Sequence, residues 1–140
     1  MTIPPTFTGQ CFCGEVVLQA VGEPTISGLC HCDDCRAWSA CPVTAYCKWP
    51  FYSVTVLKGR QSLATFAKSE RTPRTWCKMC GGHVGEFRPN AAPPHVVIFP
   101  AVFPALEFEP EVHVWCQYAV IALADDALPK YQKSIQHGRQ

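Results

Sequence analysis

Seven of the ten cysteines in this 140-residue chain fall into three short groups whose spacing suits metal coordination. The first is Cys11-Phe12-Cys13-Gly14. In an extended chain, residues two apart face the same side, so these two thiolates can grip one ion, and Gly14 lets the backbone turn beside them. The second is Cys77-Lys78-Met79-Cys80-Gly81-Gly82. A Cys-x-x-Cys followed by glycine reads as a zinc knuckle, with both sulfurs turned inward and the glycines permitting positive φ after the turn. Either pair alone could be buried structural cysteine or a redox dithiol. Together they supply the four thiolates of a closed tetrahedral zinc site.

The third group is Cys30-His31-Cys32-Asp33-Asp34-Cys35. Three thiolates within six residues can converge on one centre. Three protein ligands leave one position open, as in a catalytic zinc site. The alternative is a second closed structural site completed by Cys41, Cys47, Cys116 or His31. An extended backbone would turn His31 away from its flanking thiolates, which favours a hydrogen-bonding neighbour over a ligand. Arg36 follows the last ligand. It could hold a substrate carboxylate or balance the anionic cluster. It could equally pair with Asp33 or Asp34. Arg71 and Arg74 read as solvated, and Trp38, Trp49, Phe51 and Tyr52 as core. His83, His95 and His113 read as structural, with His83 close enough to the knuckle to support it.

The elements that must position these groups are short. Thirteen prolines and nine glycines are spread along the chain, and no long stretch has helical periodicity. β-prone runs recur at Glu15–Val21, Pro42–Trp49, Phe51–Leu57, His95–Phe99 and Val112–Val120. Turns are expected at Gly59 and Pro73, and Pro100 and Pro104 end the strand before them or place it at an edge. Helical turns are expected only at Asp33–Ser39 and Leu128–Ile135. This is an all-β pattern. The length fits a single domain, residues 1–140, large enough to bury a core.

Hydrophobic residues make up 48% and charged residues 16%, which excludes a disordered chain. A net charge of +1 gives no field to draw nucleic acid or an anionic membrane. Residues 1–10 lack a secretory signal's basic start and apolar run, and the apolar stretch Val96–Leu106 is too short to span a bilayer. A cytoplasmic protein is expected. In that reducing compartment clustered cysteines serve metals more often than disulfides.

The run Cys11-x-Cys13-Gly14, Cys30-His31-Cys32-x-x-Cys35-Arg36 and Trp76-Cys77-x-x-Cys80-Gly81 resembles the glutathione-dependent formaldehyde-activating enzyme family (Gfa, which includes centromere protein V). Pro110 with His113, and Asp126 through Leu128-Pro129, look similar too, so the resemblance spans about residues 7–131. It implies a zinc-stabilised β-tent of short antiparallel strands and two zinc ions per chain. One would be structural, on Cys11, Cys13, Cys77 and Cys80. The other would be catalytic, on Cys30, Cys32 and Cys35. Cys41, Cys47 and Cys116 lie outside the implied ligand set. The implied activity is that of a carbon–sulfur lyase, joining a small thiol such as glutathione to an aldehyde, with S-(hydroxymethyl)glutathione as product. Zinc lowers the pKa of a bound thiol and can also polarise a carbonyl oxygen. Three thiolates leave the ion with a formal charge of −1, which weakens the second role, so capture and orientation of the thiol are favoured. Two rivals remain: a non-catalytic zinc-binding interaction module, and a redox sensor built on Cys30–Cys35.

Overall fold

A computed structural model describes residues 2–135. Strands account for 38% and helices for 14%, which makes the all-β expectation a finding. The strands lie in two sheets. The chain forms two compact units, one of the residues up to Thr25 with Cys47–Glu107, the other of Ile26–Tyr46 with the residues from Phe108 on. None of the helices among the described residues is long and apolar enough to cross a membrane.

In the first unit, β1 (Thr6–Gln10), β2 (Val17–Val21) and β5 (Val54–Lys58) pair antiparallel in the order β1-β2-β5. A second set, β6 (Leu63–Ala67), β7 (Pro73–Cys77), β8 (His83–Arg88) and β9 (His95–Ile98), runs antiparallel in chain order. The end of β4 (Thr44–Pro50) pairs with β9 from Cys47 onward. Strand alternation builds the core: Leu18 and Ala20, Cys47 and Trp49, Val96 and Ile98 are all buried, while their neighbours turn outward. The Phe103 ring packs edge-on to Trp49 at 5.5 Å, and the indole N–H of Trp49 donates to the Gly22 carbonyl at 2.9 Å.

Gly85 of β8 lies opposite Ile98 of β9 with no room for a side chain. Its φ is +154°, and a Cβ there would lie 2.0 Å from the Val97 carbonyl oxygen, a backbone atom that cannot swing away. Gly85→Ala is therefore expected to cost about 1–3 kcal/mol or more. Urea unfolding reads this as a lower midpoint at unchanged slope. A change within about 0.5 kcal/mol, the range of an ordinary surface substitution, would contradict the close approach.

In the second unit, β3 (Ile26–Cys30) pairs with β10 (Val112–Val114) in parallel, Leu29 opposite His113 and Cys30 opposite Val114. A parallel pair needs a long crossover, and here the whole stretch of chain from His31 to Glu111 separates the two strands. The single α-helix among the described residues, α1 (Asp33–Ser39), stands where the sequence places one. Its N-cap is Cys32, whose sulfur accepts the Cys35 N–H at 3.3 Å, and it ends at Ala40 in the left-handed region.

Several boundaries differ from expectation. The run Val112–Val120 is a strand only to Val114, because Trp115 takes φ 57° and opens a 3-10 turn at Cys116–Tyr118. Phe51–Ser53 is likewise a 3-10 turn ahead of β5. Leu128–Ile135 is not helical. Its backbone bonds instead to the strand at 113 and beyond: His113 N–H to Pro129, Tyr131 N–H to His113, and Trp115 N–H to Lys133. Pro73 opens β7, where its missing N–H costs nothing, and does not make the expected turn. Arg74 is not solvated: it is 7% exposed and its guanidinium lies 3.0 Å from buried Glu86, which also binds Arg88. Tyr52, expected in the core, is 79% exposed, whereas Trp49 is fully buried.

Candidate metal centres

Each half of the first centre is a tight turn with a glycine at its exit. In the first, Gly14 N–H bonds to the Cys11 carbonyl at 3.1 Å and Gly14 takes φ 82°. In the second, Gly81 N–H bonds to the Cys77 carbonyl at 2.7 Å and Gly81 takes φ 76°. Both glycines therefore do what the sequence requires of them. The turns bring the sulfurs of Cys11, Cys13, Cys77 and Cys80 within 4.8 Å of one another. Cys11 lies 3.7 Å from Cys13, and Cys13 lies 3.9 Å from Cys77. A zinc–sulfur bond of about 2.3 Å in a regular tetrahedron sets sulfur–sulfur spacings near ~3.8 Å, so the spacing fits the ion. The Val16 and Gly82 N–H groups donate to the Cys11 and Cys80 sulfurs, each at 3.3 Å, which favours thiolates.

The sulfurs of this centre shift one another's ionisation. Burial alone would raise the Cys11 thiol, but the Val16 N–H and the Cys13 and Cys77 thiols outweigh it and bring it down to about 7. Cys13 goes the other way: the Glu15 N–H favours its thiolate, but burial and the Cys80, Cys11 and Cys77 sulfurs push it up to about 12. Crowded acids share charge in this manner, one ionising easily at its neighbour's expense. Four sulfurs placed this way could hold a divalent ion as thiolates.

The second centre is built at the junction of β3 and α1. Cys30 ends the strand, Cys32 caps the helix and Cys35 lies in its first turn. Their sulfurs lie within 4.8 Å of one another, with Cys30 and Cys35 at 3.6 Å, again a spacing that fits zinc. Cys30 is buried and the other two are half-buried. The neighbouring Cys32 and Cys35 thiols, then burial, push Cys30 far above the ordinary thiol range. Cys30 favours the Cys32 thiolate, but Cys35 and burial push Cys32 up to about 11. None of the offered closing groups belongs to this cluster. Cys41 is exposed and donates to the Ser39 carbonyl at 3.4 Å, while Cys47 and Cys116 are buried.

His31 is the hydrogen-bonding neighbour that the sequence suggests. Its N–H donates to the Val114 carbonyl at 3.0 Å, and its ring Nε2 lies 2.9 Å from His113 Nδ1. Arg36 is half-buried, and its Nε donates to the His31 carbonyl at 3.2 Å, which clamps it to the ligand segment. The partnership of His113 with Asp126 at 2.7 Å is not readable from sequence: 13 residues separate the two, and no local periodicity links them. The only signal is their shared place in the family resemblance. His83 is half-buried and its ring lies 6.5 Å from that of Phe99, and His95 Nδ1 lies 2.9 Å from the Pro93 carbonyl oxygen.

Comparison with known proteins gives the chain's family and fold relatives. The profile of the glutathione-dependent formaldehyde-activating enzyme family matches residues 6–118. An uncharacterized lyase of Schizosaccharomyces pombe is 31% identical over 77 residues, a match spanning 55% of this chain and 54% of that protein. The chain thus aligns with about half the length of that relative. The crystal structure of a Rhodobacter sphaeroides protein shares the fold with a TM-score of 0.58 at 19% identity, over 71% of this chain and 90% of that one.

Proposed function

This chain belongs to the glutathione-dependent formaldehyde-activating enzyme family, and on that premise we propose that it is a zinc-dependent carbon–sulfur lyase that joins a small thiol, such as glutathione, to an aldehyde. The observation that carries this reading is the inequality of the two centres, four sulfurs in one and three in the other. Cys11, Cys13, Cys77 and Cys80 would hold a structural ion whose coordination is complete. Cys30, Cys32 and Cys35 would hold a second ion with a position left for substrate. Zinc held there would lower the pKa of a bound thiol, so that it enters the reaction as a thiolate.

In the reaction the thiol sulfur bonds to the carbonyl carbon, the C=O π pair moves to oxygen, and the thiol proton ends on that oxygen. The reverse breaks the carbon–sulfur bond. The protein's part is to place the thiol and exclude its free rotation, which makes a bimolecular step effectively unimolecular. Arg36, anchored by its Nε to the ligand segment, would orient a substrate carboxylate with its remaining donors. None of the ten cysteines, all among the described residues, is joined in a disulfide.

A second reading, a non-catalytic zinc-binding interaction module, is favoured by one observation. Phe12 and Met79, each between two ligands of the first centre, are 90% and 68% exposed. One experiment separates the readings. Glutathione should raise the melting temperature of the wild type but not of Cys32→Ser. The gain should be about 2.7 kcal/mol at a hundredfold excess over the dissociation constant. With formaldehyde added, exchange NMR should show free and hydroxymethylated glutathione interconverting faster in proportion to enzyme. No shift in melting and no exchange above background, with the second centre fully loaded, would rule out glutathione and favour the module.

A further inference from the structure

A continuous polar chain begins between two cysteines of the second centre. His31 is 1% exposed and His113 3% exposed. Their rings lie 5.2 Å apart with a tilt of 23°, and His31 Nε2 meets His113 Nδ1 at 2.9 Å. His113 Nε2 meets Asp126 Oδ2 at 2.7 Å. The other carboxylate oxygen, Oδ1, accepts from Leu128 N–H at 3.0 Å and from the Lys130 ammonium at 2.9 Å. His113 first, then Lys130, hold the Asp126 carboxyl well below the usual range, so it is ionised and only accepts.

The tautomers follow from the network. His113 must carry its proton on Nε2 to donate to Asp126. If the ring carries no second proton, Nδ1 accepts and His31 donates from Nε2. His31 Nδ1 is left bare, and it is the buried side-chain nitrogen without a hydrogen-bond partner among the described residues. The opposite direction would require a cationic His113 and would leave His31 with a buried N–H donor lacking an acceptor.

His31 is thus held at three points: its N–H by Val114, its carbonyl by Arg36 and its ring by His113. Its two chain neighbours are both sulfur donors. Carboxylates that fix imidazole rings commonly orient metal ligands from behind. Here the fixed ring is no ligand but sits between two of them. We propose that His31, His113 and Asp126 form a positioning relay that fixes the backbone carrying Cys30 and Cys32, and thereby the spacing of the three sulfurs around the second metal. This inference rests on reading that cluster as a metal site.

The test uses the full chain loaded with cobalt(II), whose thiolate bands report each centre. Asp126→Asn should release the second metal to a chelator at least about tenfold faster. Its second-centre bands should shift, the first-centre bands should stay, and Asp126→Glu should restore much of the loss. Nitrogen-15 spectra of the wild-type imidazoles should show both rings protonated at Nε2, with Nδ1 of His31 bare. If Asp126→Asn does not fold, as judged by its first-centre bands, His113→Gln carries the same test. Unchanged release and bands in a variant of a wild type that holds both metals would overturn the relay and leave the metal reading standing. A wild type that loads only the first centre would overturn both.

Discussion

Cys77→Ser is expected to unfold the chain or drive it into aggregates. Cys77 is fully buried at the end of β7, and its sulfur shares the first centre with three others. A structural zinc contributes about 10–16 kcal/mol in small domains, as much as or more than the whole net stability of a typical domain, about 5–15 kcal/mol. Serine keeps the volume but removes the thiolate. The remaining sulfurs then face the crowding that already pushes Cys13 up to about 12, with no complete tetrahedron to relieve it. The ligands come from two turns 64 residues apart, so the ion also closes a long loop. Circular dichroism and gel filtration of the purified variant check this. A monomer with the wild-type spectrum and melting temperature would contradict a structural role for the first centre.

Cys32→Ser is expected to remove the second metal and reduce the enzymatic rate to background while the strands and most of the melting temperature survive. The substitution is chosen for its physics. Cys32 is both a sulfur of the cluster and the N-cap of α1, accepting the Cys35 N–H. Serine is among the preferred N-caps, so the helix start is kept, whereas alanine would cost about 0.5–2 kcal/mol there. Only the metal affinity should then fall. Two sulfurs do not hold zinc as three do, and the first centre, in the other compact unit, keeps its four. Metal content, circular dichroism and the formaldehyde exchange rate are the measurements. Global unfolding of this variant would mark the second centre as structural and closed.

What the sequence makes legible is the chemistry more than the frame. The three cysteine groups identify the family because ligand spacing is local: two or three residues decide whether sulfurs converge. The short helix at Asp33–Ser39 is legible for the same reason. β1, β3, β6, β7 and β8 are not, each being only five or six residues long, and β3 also pairs with β10, far along the chain. β7 and β8 also carry buried charge, Arg74 and Glu86, which breaks the apolar–polar alternation by which strands are recognised. The segment from Leu128 reads as helical in isolation because its hydrogen bonds go to β10 and the turn after it, a partnership that no local window contains. The His31–His113–Asp126 chain is hidden in the same way.

The most direct test of two unequal centres is a crystal structure of the chain soaked with glutathione, with anomalous scattering recorded at the zinc edge. The account predicts two peaks per chain. One should lie among the sulfurs of Cys11, Cys13, Cys77 and Cys80. The other should lie against Cys30, Cys32 and Cys35, with glutathione's sulfur completing its coordination. A second peak closed by a fourth protein ligand, or no peak at those three cysteines, would contradict it.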